Sequence, residues 1–406
     1  MTGTDRFKVI VLGSVDGTDV GEVYSGFRMV EALSRHADVT LLGFEREGRV
    51  PLAEQLPNAK VVTWREPPFL LKWERFNAMA KPAWPLLCHH VRQWMRADKA
   101  RGVSYAAAHQ LLPQGMRNTC PFQGQGIPYI IGPLGGGLTS PHAFAGEVGS
   151  QGMLPKLRAI DTFRLKHDFR LRRSYQGADI VLGVAPYVRE RLENVGIKRF
   201  ELFAERGFDN YDAPQRDPLQ PGKLRLLHVG RTIRTKGLRD TIRALAKMED
   251  RTGITLTVAG DGPDLANSKA EAARLGVSDI VTFLGKVSRQ TVDELYATHD
   301  LFVFPSFQEP MGGVLFEALQ WRLPIITVNV GGPGFIVTDT CGVLHAVETP
   351  EQLAQDLAET LTALAAEPSR IEHLRGGIEA RMREIGTWDE KAAHLCALYG
   401  EIARPV

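Results

Sequence analysis

The chain has 406 residues, a formal net charge of +2 and 44% hydrophobic residues. This length allows two domains with separate cores, and the composition excludes disordered and fibrous proteins. The four cysteines are far apart and form no CxxC pair, so neither a disulfide framework nor a zinc site is indicated. No leader-like segment precedes the first predicted strand, and no apolar run reaches the roughly 20 residues of a membrane-spanning helix. We therefore expect a cytoplasmic protein, either free or peripheral at the inner face of the plasma membrane.

Charge is divided unevenly along the chain. Residues 1–210 contain seven more basic than acidic residues, and the remainder contains five more acidic than basic residues. Two basic stretches, Phe69–Arg101 and Met153–Arg173, account for the excess, and the first also contains Trp73, Trp84 and Trp94. These stretches favour contact with an anionic lipid surface or a phosphate-bearing acceptor. A solvated helix is the alternative for the second stretch, because its positive charges are spread around the helix.

Short apolar segments alternate with helical ones in the first half. The predicted strands are Phe7–Leu12, Val39–Phe44, Lys60–Trp64, Val103–His109, Pro128–Ile131 and Asp179–Val184. Such alternation favours a parallel sheet with helices on both faces. Prolines and turn-forming residues at Asp209–Gly222 then indicate a linker.

The same pattern restarts after the linker. The predicted strands are Leu224–Val229, Ile254–Ala259, Ile280–Leu284, Leu301–Phe304 and Pro324–Val328. Two series of alternating elements predict two α/β domains of the Rossmann-like kind, 1–208 and 223–387, joined by the linker 209–222.

A basic loop follows the first strand of the second half. It has the sequence GRTIRTKG from Gly230 to Gly237, and it contains Arg231 and Lys236. Ligands of open α/β sheets bind beyond the carboxyl ends of the strands. The two cations are therefore placed to form charge-assisted hydrogen bonds with a diphosphate. A solvated basic loop is the alternative.

The most informative segment follows the strand that ends at Phe304. A loop carries Glu309, and Gly312 and Gly313 open a helix, whose bare N–H groups form a natural phosphate seat. Glu317 lies about one turn inside this helix, where its carboxylate can accept hydrogen bonds from a ribose diol. Two solvated carboxylates are the alternative, which the position beside a glycine-opened helix disfavours.

These motifs resemble glycosyltransferase family 4, whose members have an E-x7-E motif, matched here by Glu309 and Glu317. The resemblance covers nearly all of the second half, where the GR-x4-KG loop, GDGP at 260–263, FLG at 283–285 and the E-x7-E helix occur in family order. It implies a GT-B fold, in which two Rossmann-like domains with parallel sheets face each other across a cleft. It also implies that a final helix, at about 388–406, completes the first, acceptor-binding domain.

The resemblance also implies which residues bind the donor, a nucleotide diphosphate-sugar. Arg231 and Lys236 would bind the diphosphate, and Glu317 would hold the ribose. Glu309 would contact the sugar, and the backbone around Lys286 and Val287 would contact the base. The implied donor site contains Gly230, Arg231, Lys236, Gly260, Lys286, Val287, Glu309, Gly312, Gly313, Val314 and Glu317.

The first half matches the family less fully. The loop after the first strand contains Asp16 and Gly17, in the place of the family's acceptor-side loop, but it lacks the usual paired glycines. A second acceptor-side candidate is the glycine run Gly135, Gly136 and Gly137. An ordinary βα turn and a flexible loop are the respective alternatives.

His109 is a candidate catalytic residue together with Arg231, Lys236 and Glu309. It is predicted to end the strand Val103–His109, in the place of a histidine that many family members keep near the donor sugar. A structural histidine is the alternative.

The implied activity is retaining transfer of a sugar to a saccharide, lipid-linked or anionic acceptor in glycan, exopolysaccharide or glycolipid synthesis. Catalysis would rest on stabilising the departing nucleoside diphosphate. No cofactor or metal is required by this interpretation, and no nucleic acid partner is expected. The alternatives are a GT-B glycoside phosphorylase, a nucleotide-sugar epimerase and a noncatalytic nucleotide-sugar-binding subunit.

Overall fold

A computed structural model describes residues 6–67, 81–148, 154–220 and 222–403, with residues 154–160 described by their helical backbone alone. The strands are β1 (Lys8–Leu12), β2 (Asp38–Glu45), β3 (Lys60–Arg65), β4 (Ala107–Gln110), β5 (Tyr129–Leu134), β6 (Ile180–Gly183), β7 (Phe200–Leu202), β8 (Leu224–Val229), β9 (Ile254–Ala259), β10 (Val281–Gly285), β11 (Leu301–Val303), β12 (Ile325–Val328) and β13 (Gly342–His345). The helices are α1 (Glu22–His36), α2 (Leu52–Gln55), α3 (Trp84–Ala100), α4 (Ala145–Val148), α5 (Leu154–His167), α6 (Phe169–Gly177), α7 (Tyr187–Leu192), α8 (Leu238–Lys247), α9 (Leu265–Arg274), α10 (Arg289–Thr298), α11 (Gly313–Gln320), α12 (Pro333–Ile336), α13 (Pro350–Ala366), α14 (Pro368–Ile385) and α15 (Trp388–Ile402).

The strands form two parallel sheets, as the alternating sequence pattern predicts. The first has the order β3-β2-β1-β4-β5-β6-β7, and the second has the order β10-β9-β8-β11-β12-β13. In each sheet the strand order reverses direction beside the first strand, between β1 and β4 and between β8 and β11. Loops separate at such a point, and ligands bind there in open α/β sheets. The prediction of two Rossmann-like domains is confirmed, and the fold is GT-B.

Each sheet is buried between helices. In the first unit, Val9 and Val11 of β1 share a core with Leu33 of α1 and Leu395 of α15. In the second unit, Leu226 and Val258 share a core with Ile242, Val303 and Leu357. Strands covered on both faces are apolar throughout instead of alternating, which is why β6 has the sequence IVLG and is buried at every position.

All eleven predicted strands overlap strands of the structure, whereas β7 and β13 escaped prediction. Both lie at sheet edges, where one side of the strand lacks a neighbour. Strand β7 has only three residues, and β13 has the sequence GVLH with two half-buried central residues. Neither the apolar run of a buried strand nor a period-two alternation is long enough to be recognised in them.

The unit boundaries differ from the predicted boundaries in one segment. Among the described residues, one compact unit takes those within Met1–Gly137, Lys156–Gly207 and Trp388–Val406, and the other takes those within Leu138–Pro155 and Phe208–Thr387. Thus Leu138–Val148, predicted in the first domain, packs with the second unit. The physical reason is that the fully buried Phe144 belongs to the core of the second sheet.

The predicted linker is also more firmly held than its composition indicates. The guanidinium of Arg216 donates hydrogen bonds to the backbone carbonyls of Tyr296, Trp321 and His299. Burial lowers the pKa of Arg216 to about 10. The three carbonyl acceptors offset part of the free energy that it costs to remove the guanidinium from water. The segment is therefore anchored to the second unit and is not a free tether.

Two glycines allow the loops after β8 and β9 to pack against each other. A Cβ on Gly260 would lie 1.8 Å from the carbonyl oxygen of Gly230, and Gly260 has a φ of +149°. The Gly260 amide donates to the carbonyl of Gly285 at 2.8 Å, which brings the loop after β10 to the same place. Glycine is required at 260 because any side chain would push two backbones apart.

We predict that Gly260→Ala lowers the free energy of unfolding of the second unit by about 3–5 kcal/mol, since backbone strain adds to a clash that cannot relax. Gly276→Ala is the matched control, because Gly276 has a φ of +67° but open space around its Cβ position. That control should cost about 1–2 kcal/mol. Urea denaturation measures both, and equal losses would contradict the packing argument.

Candidate functional site

The loop after β8 is held from within by a buried arginine. Its last turn is a 3-10 helix, Arg234–Lys236, and Gly237 ends that turn with a φ of +77°. Arg234 is 3% exposed, and its two terminal nitrogens donate to the carboxylate of Asp240 at 2.6 and 2.8 Å. Sequence analysis overlooked Arg234, because it is indistinguishable by composition from Arg231, whose side chain is exposed.

Lys236 and Glu309 lie in direct contact. The Nζ atom of Lys236 donates to Oε2 of Glu309, and both side chains are largely buried. The ammonium also lies 5.6 Å from the ring centroid of Phe304, within the range of a cation–π contact. The structure thus brings together two residues that are 73 positions apart and that sequence analysis placed at the donor site.

The Glu309 loop is fixed by the loop after β12. The amide of Gly332 donates to the carbonyl of Glu309 at 3.0 Å. A Cβ on Gly331 would lie 2.5 Å from the same carbonyl oxygen, so the close approach requires glycine there. Gly312, with a φ of +92°, precedes the first residue of α11. It lies immediately beside Glu309, since its Cβ position is 3.0 Å from Cγ of Glu309.

Helix α11 directs its N-terminus to this place. Gly313 and Val314 are its first residues, and the first amides of a helix have no partner within it. Together with the helix dipole, such amides favour an anion. The Lys236 ammonium and the N-terminus of α11 thus supply positive charge on either side of Glu309.

Glu317 is held by two residues of α10. Its Oε2 atom lies 2.9 Å from Nη1 of Arg289 and 3.4 Å from the hydroxyl of Tyr296. Tyr296 is fully buried, and burial together with the Glu317 charge raises its pKa. The phenol therefore keeps its proton and donates to the carboxylate. Sequence analysis missed both partners because α10 has no motif of its own.

The predicted base-binding residues precede α10. Lys286 is exposed and Val287 is half-buried in the turn after β10, and Ser288 caps the helix by accepting from the Thr291 amide at 3.1 Å. Arg231 is exposed and, within the described ranges, forms no ion pair. The carboxyl end of the second sheet therefore collects cations, bare amides and carboxylates, the groups that bind a phosphate and a polyol.

A separate cavity of about 470 Å³ lies at the carboxyl end of the first sheet. Asp16 is 6% exposed there, and Gly17 is required because a Cβ would lie 2.8 Å from the ring of Phe27. Burial opposes ionisation of Asp16, but hydrogen bonds from the Thr18 amide and hydroxyl hold the pKa of Asp16 below its usual value. The described charged residues of the lining are Asp16, Asp19, Glu22, Glu45, Glu47, Glu66, Arg46, Arg49 and Lys81. The positive charge of the first half is thus not concentrated in this cavity.

The glycine run forms a turn at the end of β5. The Gly135 amide donates to the carbonyl of Gln114 at 2.9 Å, and Gly136 and Gly137 have φ values of +80° and +78°. A Cβ on Gly136 would meet open space, so the backbone conformation and not crowding requires glycine there.

His109 lies in a different environment from the one predicted. Strand β4 continues to Gln110, so His109 is inside the strand and fully buried, whereas it was predicted to end the strand. Its Nε2 donates to the carbonyl of Gly132 at 2.6 Å, and its Nδ1 lies 2.7 Å from the hydroxyl of Tyr399. A carbonyl only accepts, so Nε2 carries a proton, and at neutral pH, where the ring is uncharged, Nδ1 accepts from the hydroxyl of Tyr399. Burial lowers the pKa of His109 to about 4. This geometry supports the alternative of a structural histidine.

Two tryptophans of the first basic stretch lie among the described residues of the first unit. Trp84 is 8% exposed and donates from Nε1 to the carbonyl of Thr119 at 2.9 Å. Trp94 is half-buried beside Tyr105, and Trp73 lies outside the described residues. Trp84 is therefore a core residue, and Trp94 is partly covered by its neighbours.

Among the residues that the structure describes, no group of three or more His, Cys, Asp or Glu side chains is arranged to hold a metal ion. None of the described helices combines the length and apolarity needed to cross a membrane.

Comparison with known proteins identifies the second half most clearly. Residues 211–370 match the family model "Glycosyl transferases group 1". A 2-deoxystreptamine glucosyltransferase of Streptomyces kanamyceticus is 31% identical over 162 residues, which are 39% of this chain and 41% of that protein. The lipopolysaccharide glucosyltransferase WaaG of Escherichia coli is 34% identical over 175 residues, or 42% of this chain and 45% of that protein. The chain thus matches less than half of the length of either relative.

Solved structures match over nearly the whole chain. HepE of Anabaena in complex with UDP and glucose has a TM-score of 0.63 at 16% identity, over 97% of this chain and 100% of that one. The WaaG structure has a TM-score of 0.58 at 20% identity, over 96% of this chain and 99% of that one. At such identities these similarities establish the fold.

We predict that His109 makes the first unit sensitive to acid. The unfolded side chain titrates near its ordinary pKa of about 6.5, so between that pH and about 4 the native state binds fewer protons than the unfolded state. Stability is then lost as pH falls through this range, by about 3 kcal/mol from this residue. His109→Gln should flatten the dependence of the unfolding free energy on pH between 7 and 4.5, whereas His394→Gln, at a largely exposed position, should not. An unchanged slope in His109→Gln would contradict the burial argument.

Proposed function

We propose that the protein is a retaining glycosyltransferase, from the premise that its residues 211–370 match the family model "Glycosyl transferases group 1". It moves a sugar from a nucleotide diphosphate-sugar to a saccharide or lipid-linked acceptor. The observation that carries this proposal is the contact of Lys236 with Glu309 beside the N-terminus of α11. A cation, a carboxylate and bare amides converge there at the carboxyl end of the sheet.

Donor binding replaces the internal ion pair with two contacts to the ligand. Lys236 turns from Glu309 to the diphosphate, with the exposed Arg231 and the amides of Gly313 and Val314 as further donors of positive charge. Glu309 then accepts hydrogen bonds from hydroxyls of the sugar. The exchange keeps both charges partnered in each state, which limits the cost of desolvating them.

The nucleoside occupies the neighbouring loops. Glu317 accepts from the ribose hydroxyls, while Arg289 and Tyr296 hold its carboxylate in place. The base contacts the turn at Lys286 and Val287, and the glycines at 230 and 260 let the phosphates approach the backbone. No side chain of this turn discriminates uracil, guanine and adenine by an evident hydrogen-bond pattern.

Transfer proceeds with retention through the departing diphosphate. The bond between the anomeric carbon and the phosphate oxygen breaks, and the acceptor oxygen bonds to that carbon on the same face. The acceptor proton passes to the phosphate oxygen that leaves. Lys236, Arg231 and the end of α11 stabilise the charge that develops on this phosphate.

A thermal-shift screen with UDP-, GDP- and ADP-sugars tests the proposed donor. A ligand present at 100 times its Kd adds about 2.7 kcal/mol to the stability of the native state. Product analysis then separates transfer from the alternatives, because a phosphorylase requires inorganic phosphate and an epimerase requires no acceptor. The anomeric configuration of the product tests retention. If none of the nucleotide-sugars stabilises the protein, the proposed function is wrong.

The acceptor surface is proposed from α5 and α6. Phe163 and Phe169 are 64% and 60% exposed, and Arg173 lies over the Phe169 ring at 4.1 Å. Lys166 and Arg170 are exposed beside them. Exposed aromatic and basic side chains are the composition of a helix that lies in an anionic membrane interface. This supports a lipid-linked acceptor and a peripheral location.

We predict that Lys236→Ala lowers the rate of sugar transfer, or of donor hydrolysis, by about 100-fold, as for loss of one charge-stabilising donor. Arg231→Ala should act in the same direction, and the double variant should lose less than the sum because the two residues share one diphosphate. Lys247→Ala is the control, since Lys247 is an exposed cation at the end of α8. A wild-type rate for Lys236→Ala with saturating donor would contradict the proposed role.

We also predict that the protein sediments with anionic liposomes at low salt and is released as ionic strength rises. Arg170→Glu with Arg173→Glu should abolish this binding, and Phe163→Ser with Phe169→Ser should weaken it. Arg172 is left intact, because it is half-buried and donates to the carbonyls of Leu165 and Val195.

The control for charge is Arg96→Glu with Lys99→Glu, which makes the same change of net charge on exposed positions of α3. Loss of binding in that variant to the same degree would show that net charge alone attracts the protein. The surface on α5 and α6 would then have no specific role.

A further inference from the structure

The segment Leu138–Val148 leaves the glycine turn at 135–137 and packs entirely with the second unit. It consists of an extended stretch, a 3-10 turn and the short helix α4. The segment lies in the first half of the chain, which also contains the acceptor-side candidates. Its contacts, however, are with the loops of the candidate donor site.

An aromatic contact anchors this segment. Phe144 is fully buried, and its ring centroid lies 4.4 Å from that of Phe307, which follows β11. The guanidinium carbon of Arg234 lies 5.2 Å from the Phe144 ring and 5.3 Å from the Phe307 ring. Arg234 is therefore held between two aromatic rings, one of which belongs to the segment.

An ionic contact adds to the aromatic one. Glu147 accepts from Nε of Arg234 at 2.7 Å and from Nη1 of Arg243 at 3.0 Å. Burial opposes ionisation of Glu147, but these two arginines hold its pKa below its usual value. Glu147 is thus ionised at neutral pH. Arg234 therefore has two carboxylate partners, Glu147 and Asp240.

The segment is connected to both residues of the Lys236–Glu309 pair. Arg234 begins the 3-10 turn that ends in Lys236, so the orientation of one sets the position of the other. On the other side, the carbonyl of Leu138 accepts from Nε2 of Gln308 at 2.9 Å, and Gln308 immediately precedes Glu309. One segment therefore constrains the two loops from which the ammonium and the carboxylate project.

We propose that Leu138–Val148 is a positioning element of the donor site, and that Glu147 is a positioning residue for Lys236. The inference rests on the proposed function, since it concerns binding of a nucleoside diphosphate by the same loops. Glu147 itself does not touch the ligand. It fixes Arg234, and through Arg234 the turn that presents Lys236 to the terminal phosphate.

The test compares Glu147→Gln with a control in the same ionic network. Glu271 accepts from Nε of Arg243 at 2.6 Å and from Nη2 of Arg274 at 3.0 Å, and no described contact joins it to Arg234, so Glu271→Gln weakens ion pairs of the same network away from the loop. Calorimetry measures the affinities of each protein for UDP, GDP and ADP and for the corresponding nucleoside monophosphates. The readout is the ratio of diphosphate to monophosphate affinity, which a uniform loss of stability does not change.

Glu147→Gln is expected to lower this ratio by about tenfold, and Glu271→Gln is expected to leave it within twofold of wild type. Phe144→Leu, which keeps apolar volume but removes the ring beside Arg234, should lower the ratio in the same direction and provides a second variant. A wild-type ratio in both Glu147→Gln and Phe144→Leu overturns the inference, as does an equal fall in Glu271→Gln. If the wild-type protein binds none of the nucleotides, the proposed function fails and the inference fails with it.

Discussion

The buried guanidinium of Arg234 is the interaction on which the donor side of the molecule depends. A charge with almost no access to water must be partnered on every side, and removal of a partner is far more costly than the pair is stabilising. Asp240 and Glu147 supply the carboxylates, and Phe144 and Phe307 supply the flanking rings. Arg234 lies in the loop after β8, and its partners come from α8, from the segment Leu138–Val148 and from the chain after β11, so one side chain fixes the mutual position of four segments.

The same loops show why glycine and charge occur together at this end of the sheet. The backbones after β8, β9 and β10 approach one another so closely that Gly260 admits no Cβ. Close approach leaves amides and carbonyls at the surface of the loops, and the side chains that remain are those at the rim, such as Lys236 and Glu309. The site is thus built from backbone geometry first and from two or three charged groups second.

The sequence predicted the fold well, because buried parallel strands have nearly continuous apolar runs. It failed where a residue's role depends on distant partners. In the sequence, His109 and Arg234 stand near strand ends, where ligand-binding residues are expected. The structure shows that both are buried, His109 against Tyr399 and Arg234 against Asp240. The excess of positive charge in the first half does not extend to the cavity of the first unit, where carboxylates outnumber basic residues, whereas the second basic stretch exposes basic residues on α5 and α6.

The assignment of Leu138–Pro155 to the second unit and of α15 to the first means that the backbone passes between the units four times along the chain. Neither unit is a contiguous piece of polypeptide. A fragment that starts after residue 208 would lack Phe144 and Glu147 and would leave the Arg234 guanidinium without two of its neighbours. A fragment that ends at residue 208 would expose the face of α1 that α15 covers and would remove the hydroxyl that His109 needs. Ribosomal synthesis therefore cannot complete the core of the first unit until α15 has left the ribosome, which is after the second unit has been synthesised.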